Sequence, residues 1–264
     1  MAGKAPDWDP DAYDGFADLR LRPVLDLLAR IGDLPEGRVI DLGCGTGTAG
    51  PELAARFAPR KILGVDSSKA MLKKAGSTGA YKRCDQADIA TWEPGKAPAL
   101  IFSNAALHCL SDHAELLPRL ARFLAPGGTL AVQMPLQWYA PSHVLLRELA
   151  ARMFPARFAL EGAPAPVGTA RQYWTWLAPL GDITLWETEY LQPLSAEPPA
   201  HPVRAFTQAT AMRPFLAQMT EAEGAAFTRA YDAALTDAYP LLPDGAALLP
   251  LRRLFFVCVR PQSA

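Results

Sequence analysis

Cysteine is scarce. There are four in 264 residues, Cys44, Cys84, Cys109 and Cys258, and no two stand at C-x-x-C spacing. A zinc ribbon or a dithiol redox pair needs that spacing, so neither is expected, and no metal site is anticipated. Excess charge is also missing, since 26 basic against 27 acidic side chains leave a formal charge of −1. No bulk field therefore points to nucleic acid or to an anionic membrane. No apolar run approaches the ~20 residues of a membrane-spanning helix. The first ten residues carry acids and prolines where a secretion signal would be apolar. A cytoplasmic protein is the default expectation.

What is present suits a folded chain. Half of the residues are hydrophobic and 20% are charged, enough for one substantial core with attached elements. Strand patterns fall at 38–42, 61–65, 99–103 and 129–134, with a weaker one at 80–83. Helical patterns fall between them at 24–31, 51–57, 68–74 and 112–123, the first with Pro23 suited to its opening turn. Short strands alternating with helices predict an α/β fold, a parallel sheet covered on both faces. Ligand sites on such sheets lie beyond the carboxyl ends of the strands. The second half differs, with helices predicted at 143–154, 170–177, 206–219 and 221–239, a Pro- and Ala-rich connection at 156–167, and strands at 183–190 and 254–260. It reads as a helical insertion between two late strands.

The strongest local signal is Val39-Ile40-Asp41-Leu42-Gly43-Cys44-Gly45-Thr46-Gly47. Glycines at a strand end let backbone approach a ligand without an intervening Cβ, and the helix that follows offers free amides. Residues 45–50 also satisfy G-x-G-x-x-G, so a dinucleotide enzyme using NAD is a rival on this motif alone. Asp66, ending the second strand, can accept from ribose hydroxyls in either case, or simply cap a helix. The surrounding residues favour a sulfonium nucleoside. Asp41 can attract an ammonium group, whereas beside a pyrophosphate it would repel. Asp88 can bond an adenine amine while Ile89 packs on the ring, although Asp88 also suits a turn cap. Asn104 closes the fourth strand.

These residues, with Gly64-Val65-Asp66-Ser67-Ser68 and Met71-Leu72, resemble the class I S-adenosylmethionine-dependent methyltransferases. Trp8-Asp9-Pro10, Tyr13, Phe16, Arg20-Leu21-Arg22-Pro23, Gln133-Met134-Pro135, Met212-Arg213-Pro214-Phe215 and Pro250-Leu251-Arg252-Arg253 narrow the resemblance to the trans-aconitate 2-methyltransferase family. The resemblance implies one Rossmann-like methyltransferase domain over residues 1–264, with a mostly parallel seven-stranded sheet and an antiparallel last strand. It implies a helical cover at 1–36, a cofactor core at 37–134, substrate-side segments at 135–182 and 191–253, and final strands at 183–190 and 254–260. It implies S-adenosyl-L-methionine as cofactor, held by Gly43, Gly45, Gly47, Asp66 and Asp88, and the residues beside them, Asp41, Cys44, Ser67, Ile89 and Asn104, complete the expected cofactor site. It also implies a small carboxylic acid acceptor, taken by a monomer or small homo-oligomer. Two departures stand out. Thr46 replaces a proline common in the family's loop, and His108-Cys109 stands where the family usually has Gln-Trp.

A carboxylate acceptor is ionised at neutral pH, so no base is needed to make the nucleophile. Its other acid groups need fixed cations, and a guanidinium grips a carboxylate bidentately. Arg20, Arg22, Arg213 and Arg252 are the candidates, each alternatively a surface ion pair. Tyr13, Trp138, Tyr139 and His143 could line the acceptor pocket or be ordinary packing. His108 is the one plausible general base, useful if the acceptor were a hydroxyl or an amine. Other readings are a methyltransferase for another metabolite, a nicotinamide oxidoreductase, and a non-catalytic cofactor-binding protein.

Overall fold

The computed structural model describes residues 17–158 and 164–262. Its helices are α1 (Ala17–Leu28), α2 (Gly50–Phe57), α3 (Lys69–Ser77), α4 (His113–Phe123), α5 (Pro141–Met153), α6 (Ala170–Leu177), α7 (Pro202–Gln208), α8 (Arg213–Leu216) and α9 (Glu221–Ala238). Its strands are β1 (Val39–Leu42), β2 (Ile62–Asp66), β3 (Arg83–Gln86), β4 (Leu100–Asn104), β5 (Thr129–Pro135), β6 (Asp182–Leu194) and β7 (Ala247–Val259). Together they form one seven-stranded sheet in the order β3-β2-β1-β4-β5-β7-β6.

Neighbours from β3 to β5 pair in parallel, with Ile40 opposite Leu63 and Ile101, and Asn104 opposite Gln133. β7 runs antiparallel to β5, placing Phe255 opposite Gln133 and Arg253 opposite Pro135. An antiparallel strand wedged between β5 and β6 departs from the 3-2-1-4-5-6 order of the dinucleotide fold. The central strands are apolar on both faces, and Val39, Leu42, Leu100, Ile101 and Phe102 are fully buried. Burying each such side chain stabilises the fold by roughly 1.5–3 kcal/mol. Tyr173 of α6 stacks on Phe256 at 5.5 Å, and Trp186 of β6 stacks on the neighbouring Phe255 at 4.9 Å. Successive residues of a strand face opposite ways, so the two aromatics cover opposite faces of the sheet.

The described residues divide into two compact units. One comprises 17–135, 166–188 and 253–262, the other 136–158, 164–165 and 189–252. In the second, α5 packs on α9, with Leu146, Leu149, Phe227, Tyr231 and Leu235 buried. The Tyr231 hydroxyl donates to the Ser142 carbonyl at 3.0 Å and the Ser142 amide donates to the Tyr239 hydroxyl at 3.1 Å.

Several sequence expectations shift. The third strand lies at Arg83–Gln86 rather than 80–83, because Tyr81 turns inward and Lys82 donates its amide to Ile62 before the ladder proper begins. α1 starts at Ala17, so Pro23 sits inside the helix and not in its first turn. The helix expected over 206–219 is broken after Gln208, where the amides of Thr210 and Met212 both turn back to the Thr207 carbonyl. Strands β6 and β7 each reach 13 residues, longer than their apolar cores suggested. α6 groups with the sheet unit. Its start is fixed by a capping box between Thr169 and Gln172.

Candidate active site

The glycine loop is built on the carboxyl ends of β1 and β2. The amides of Gly43 and Cys44 both donate to the Val65 carbonyl, at 2.7 and 3.0 Å, tying the loop to the neighbouring strand. Asp66 ends β2 and holds the loop from the side. One carboxylate oxygen accepts from the Gly45 amide at 2.9 Å, the other from the Ser68 amide at 2.8 Å. Asp66 thus sets the turn into α3, while the helix cap itself is the Ser68 hydroxyl, which accepts from the Met71 amide at 3.2 Å. An ionised carboxylate has about four acceptor positions, so capacity for ribose hydroxyls remains.

The glycines have distinct roles. A Cβ on Gly43 would meet that of Ala106 at 2.2 Å, and one on Gly50 would meet the Tyr81 ring at 2.6 Å. Only the protein's own packing is served there. Gly45, at φ +54°, has no protein atom within 4 Å of its Cβ direction, and is the loop glycine whose backbone lies open. The Cys44 side chain is buried beneath the loop against Leu72 and Ala75, with Tyr81 and Cys84 alongside. Burial, with the charges of Asp41 and Asp66, pushes its thiol pKa far up.

The ammonium-binding role expected of Asp41 meets a carboxylate that is 1% exposed and accepts a 2.6 Å hydrogen bond from the Tyr81 hydroxyl. Burial raises its pKa to about 7, against the lowering effect of that bond, and the Asp66 charge raises it further. Tyr81 was not singled out from sequence. Its only signal is position, one aromatic between the turn at Gly79 and the polar strand β3.

Asp88 is exposed and accepts from the Ala90 amide at 2.9 Å, so it caps its own turn. Ile89 is buried, 3.4 Å from the Cβ direction of Gly43. Arg119 of α4 organises this turn by donating to the carbonyls of Ile89, Ala90 and Trp92 at 2.7–2.9 Å. Ser67 is exposed, and its carbonyl accepts from Gln86 at 2.9 Å.

Beyond β4 the chain makes a left-handed step at Ala105, φ +53°, and a single 3-10 turn, Leu107–Cys109. That turn is held by a buried relay. The Gly168 amide donates to the Tyr173 hydroxyl at 3.0 Å, Tyr173 meets His113 Nδ1 at 2.7 Å, and His113 Nε2 meets the Leu107 carbonyl at 2.8 Å. A carbonyl only accepts, so Nε2 carries the proton of that last bond. His108 rides on the turn, with Nε2 3.5 Å from Cys109 Sγ. Burial lowers its pKa to about 4, and the charges of Arg253 and His113 act in the same direction. A neutral imidazole that resists protonation is a weak general base. Among the described residues, Asn104 Oδ1, His108 Nδ1 and both amide atoms of Gln133 are buried without a hydrogen-bond partner.

The acceptor-side candidates fall in different parts of the chain. Tyr13 lies outside the described residues, and for Arg20 only its place in α1 is described. Arg22 is exposed on the same helix. Trp138, His143, Arg213 and Arg252 belong to the second unit. There Arg147 lies 3.8 Å over the Trp138 ring and donates to the Trp138 carbonyl at 2.8 Å. Tyr139 is exposed. His143 meets the Ser142 hydroxyl at 3.1 Å, and burial, with the Arg147 charge, lowers its pKa to about 4. Arg252 points outward, while its neighbour Arg253 has a buried Nε. No group of three His, Cys, Asp or Glu among the described residues could hold a metal ion, and no described helix is long and apolar enough to cross a membrane.

Comparison with known proteins bears on this arrangement. Residues 13–192 match a family described as methyltransferase domain. The chain is 42% identical to a trans-aconitate 2-methyltransferase of Methylobacterium nodulans, over 97% of this chain and 99% of that protein. It is 41% identical to the corresponding Azoarcus sp. protein, over 97% and 100%. Among solved structures, the YcgJ protein of Bacillus subtilis superposes with a TM-score of 0.56 at 16% identity, over 92% of this chain and 100% of that one. Haemonchus contortus phosphoethanolamine N-methyltransferase 2, in complex with S-adenosyl-L-methionine, gives 0.57 at 18%, over 96% and 57%. These two likenesses concern the fold alone. With a family match over more than half its length and relatives at about 40% identity from end to end, the chain belongs to the class I S-adenosylmethionine-dependent methyltransferases, closely related to the trans-aconitate 2-methyltransferases.

Proposed function

We propose that this protein transfers a methyl group from S-adenosyl-L-methionine to one carboxylate of a small polycarboxylic acid, trans-aconitate, giving a monomethyl ester. The observation that carries the reading is an identity of 41–42% to trans-aconitate 2-methyltransferases over 97% of the chain, well beyond the glycine loop.

The residues present suit the cofactor. Gly45 leaves backbone open, Asp66 keeps acceptor positions free at the end of β2, and Asn104 Oδ1 is buried without a partner at the end of β4. Gly45, Asp66, Asp88, Ile89 and Asn104 are the groups proposed to hold it, with Gly43, Gly47 and Cys44 shaping the loop from below. Bound there, S-adenosylmethionine would supply an electrophilic sulfonium methyl group. The task left to the chain is to orient an acceptor oxygen and keep water out. The depressed basicity of His108 supports an acceptor that is ionised already, as a carboxylate is, over a hydroxyl or amine that must lose a proton. Arg20, Arg22, Arg213 and Arg252 are the proposed grips for non-reacting acid groups.

The test is a radiolabelled methyl-transfer assay over trans-aconitate, cis-aconitate, citrate, isocitrate and simple monoacids. The expected product is labile to mild base, as an ester is. A base-stable product would favour an ether or amine acceptor, and no turnover with any acid would end the carboxyl reading. The arginine assignment predicts that R213A raises KM for a polyacid more than for a monoacid.

A further inference from the structure

Gln133 sits in the middle of the sheet at 0% exposure, yet neither its amide nitrogen nor its amide oxygen has a partner among the described residues. A buried amide left unsatisfied carries an energetic penalty and needs an explanation. Ligand binding supplies one, because the position is surrounded by like cases. Asn104, opposite Gln133 on β4, has an orphaned Oδ1. Phe255 is opposite Gln133 on the other side, and Arg253 lies two residues along β7, opposite Pro135. Residues two apart on a strand, and partners across a ladder, share a face. Asn104, Gln133 and Arg253 therefore share one face near the carboxyl ends of β4 and β5. The turn bearing His108 packs against β5, and its Nδ1 is buried and unpartnered as well.

We propose that Gln133 is a specificity-determining residue that holds a carboxyl group of the acceptor, with His108 and Arg253 completing the subsite. The proposal rests on the carboxyl-transfer reading above and extends it to residues within the sheet unit. Two amide protons of Gln133, an imidazole N–H of His108 and the buried Nε–H of Arg253 are all donors. A carboxylate is acceptor-only, so it satisfies several of them at once. A neutral amide suits the reacting group, because it orients the oxygen without drawing off as much of its charge as a second cation would. The orphaned Asn104 Oδ1 and Gln133 Oε1 are acceptors and do not serve a carboxylate. They are left to donors such as the cofactor's ammonium group.

The test separates binding from folding. Calorimetry measures trans-aconitate binding to protein saturated with S-adenosylhomocysteine, for wild type, Gln133→Met and Gln133→Glu. Methionine keeps the volume and removes the hydrogen bonds, while glutamate keeps the shape and adds a like charge. The expected result is at least a tenfold loss of acid affinity for Q133M, a larger loss for Q133E, and S-adenosylhomocysteine affinity within about twofold of wild type. Q133M should also melt about 2–4 °C higher, because an unsatisfied buried amide has been removed. Either variant binding the acid as wild type does would overturn the assignment while leaving the carboxyl-transfer reading intact. Equal loss of both ligands would overturn it too, by assigning Gln133 to the fold. Wild-type protein that binds S-adenosylhomocysteine but none of the acids would sink both readings.

Discussion

The Tyr81 hydroxyl donates a 2.6 Å hydrogen bond to the buried carboxylate of Asp41, directly under the glycine loop. The same ring fills the space that side chains on Gly47, Gly50 and Gly64 would need. One aromatic residue thus supports the loop mechanically and its acid electrostatically. Tyr81→Phe keeps the ring and deletes the bond. It is expected to destabilise the protein by about 1–3 kcal/mol, the cost of leaving a buried acceptor without its partner. Thermal melts at pH 8, where Asp41 is ionised, test this, and an unchanged Tm there would refute it.

The pKa of Asp41 gives a pH dependence with a definite sign. Its folded value, about 7, lies above the ordinary carboxylate value of 3.8, so between them the native state holds a proton that the unfolded chain has lost. Stability therefore falls as pH rises through this window, by up to ~1.4 kcal/mol per pH unit, and levels off above the folded pKa. Asp41→Asn, which cannot ionise, should remove this contribution. Denaturant midpoints measured from pH 5 to 8 should slope less for the variant than for wild type, and parallel slopes would exclude the assignment.

Gly45 in the loop and Gly50 at the start of α2 should respond differently to the same change. Gly50→Ala drives a methyl group to 2.6 Å from the Tyr81 ring and should lower Tm by several degrees. Gly45→Ala meets no protein atom but must hold φ +54°, at a cost of about 1 kcal/mol. Its larger effect is expected on S-adenosylhomocysteine affinity, at least tenfold by calorimetry. If G45A bound normally, the open side of Gly45 would not be the cofactor's.

Asp66 joins the loop to the turn into α3 and is proposed to read the ribose. Asp66→Asn keeps one acceptor oxygen and the residue's size, while Asp66→Ala removes everything. The expected order of S-adenosylhomocysteine affinity is wild type, then D66N, then D66A, with D66A weaker by at least a hundredfold. Full affinity in D66A would confine Asp66 to holding the turn.

Much of this protein is written locally. The alternation of five-residue apolar runs with helical patterns predicts the parallel half of the sheet, since burial on both faces demands continuous Val, Ile and Leu. Glycine after Leu42, and acids or amides at 66, 88 and 104, mark strand ends because those residue types suit turns and ligands alike. The edges of the fold are less legible. β3 is polar and partly exposed, so its bounds leave little hydrophobic trace, and the long β6 and β7 alternate too weakly to show their full length.

Which side chain faces which partner is decided only by the folded chain. Asp41 and Tyr81 are forty residues apart, and only their convergence under the loop turns a candidate ammonium binder into a buried, hydrogen-bonded acid. Arg252 and Arg253 are indistinguishable in sequence, yet strand alternation sends one outward and buries the Nε of the other. Gln133 reads as an ordinary strand residue until its neighbours on β4 and β7 are known to leave its amide unsatisfied. Sequence fixes element and motif because those depend on contacts a few residues apart. Burial, pKa and hydrogen-bond satisfaction depend on residues brought together across the sheet, and so belong to the tertiary structure.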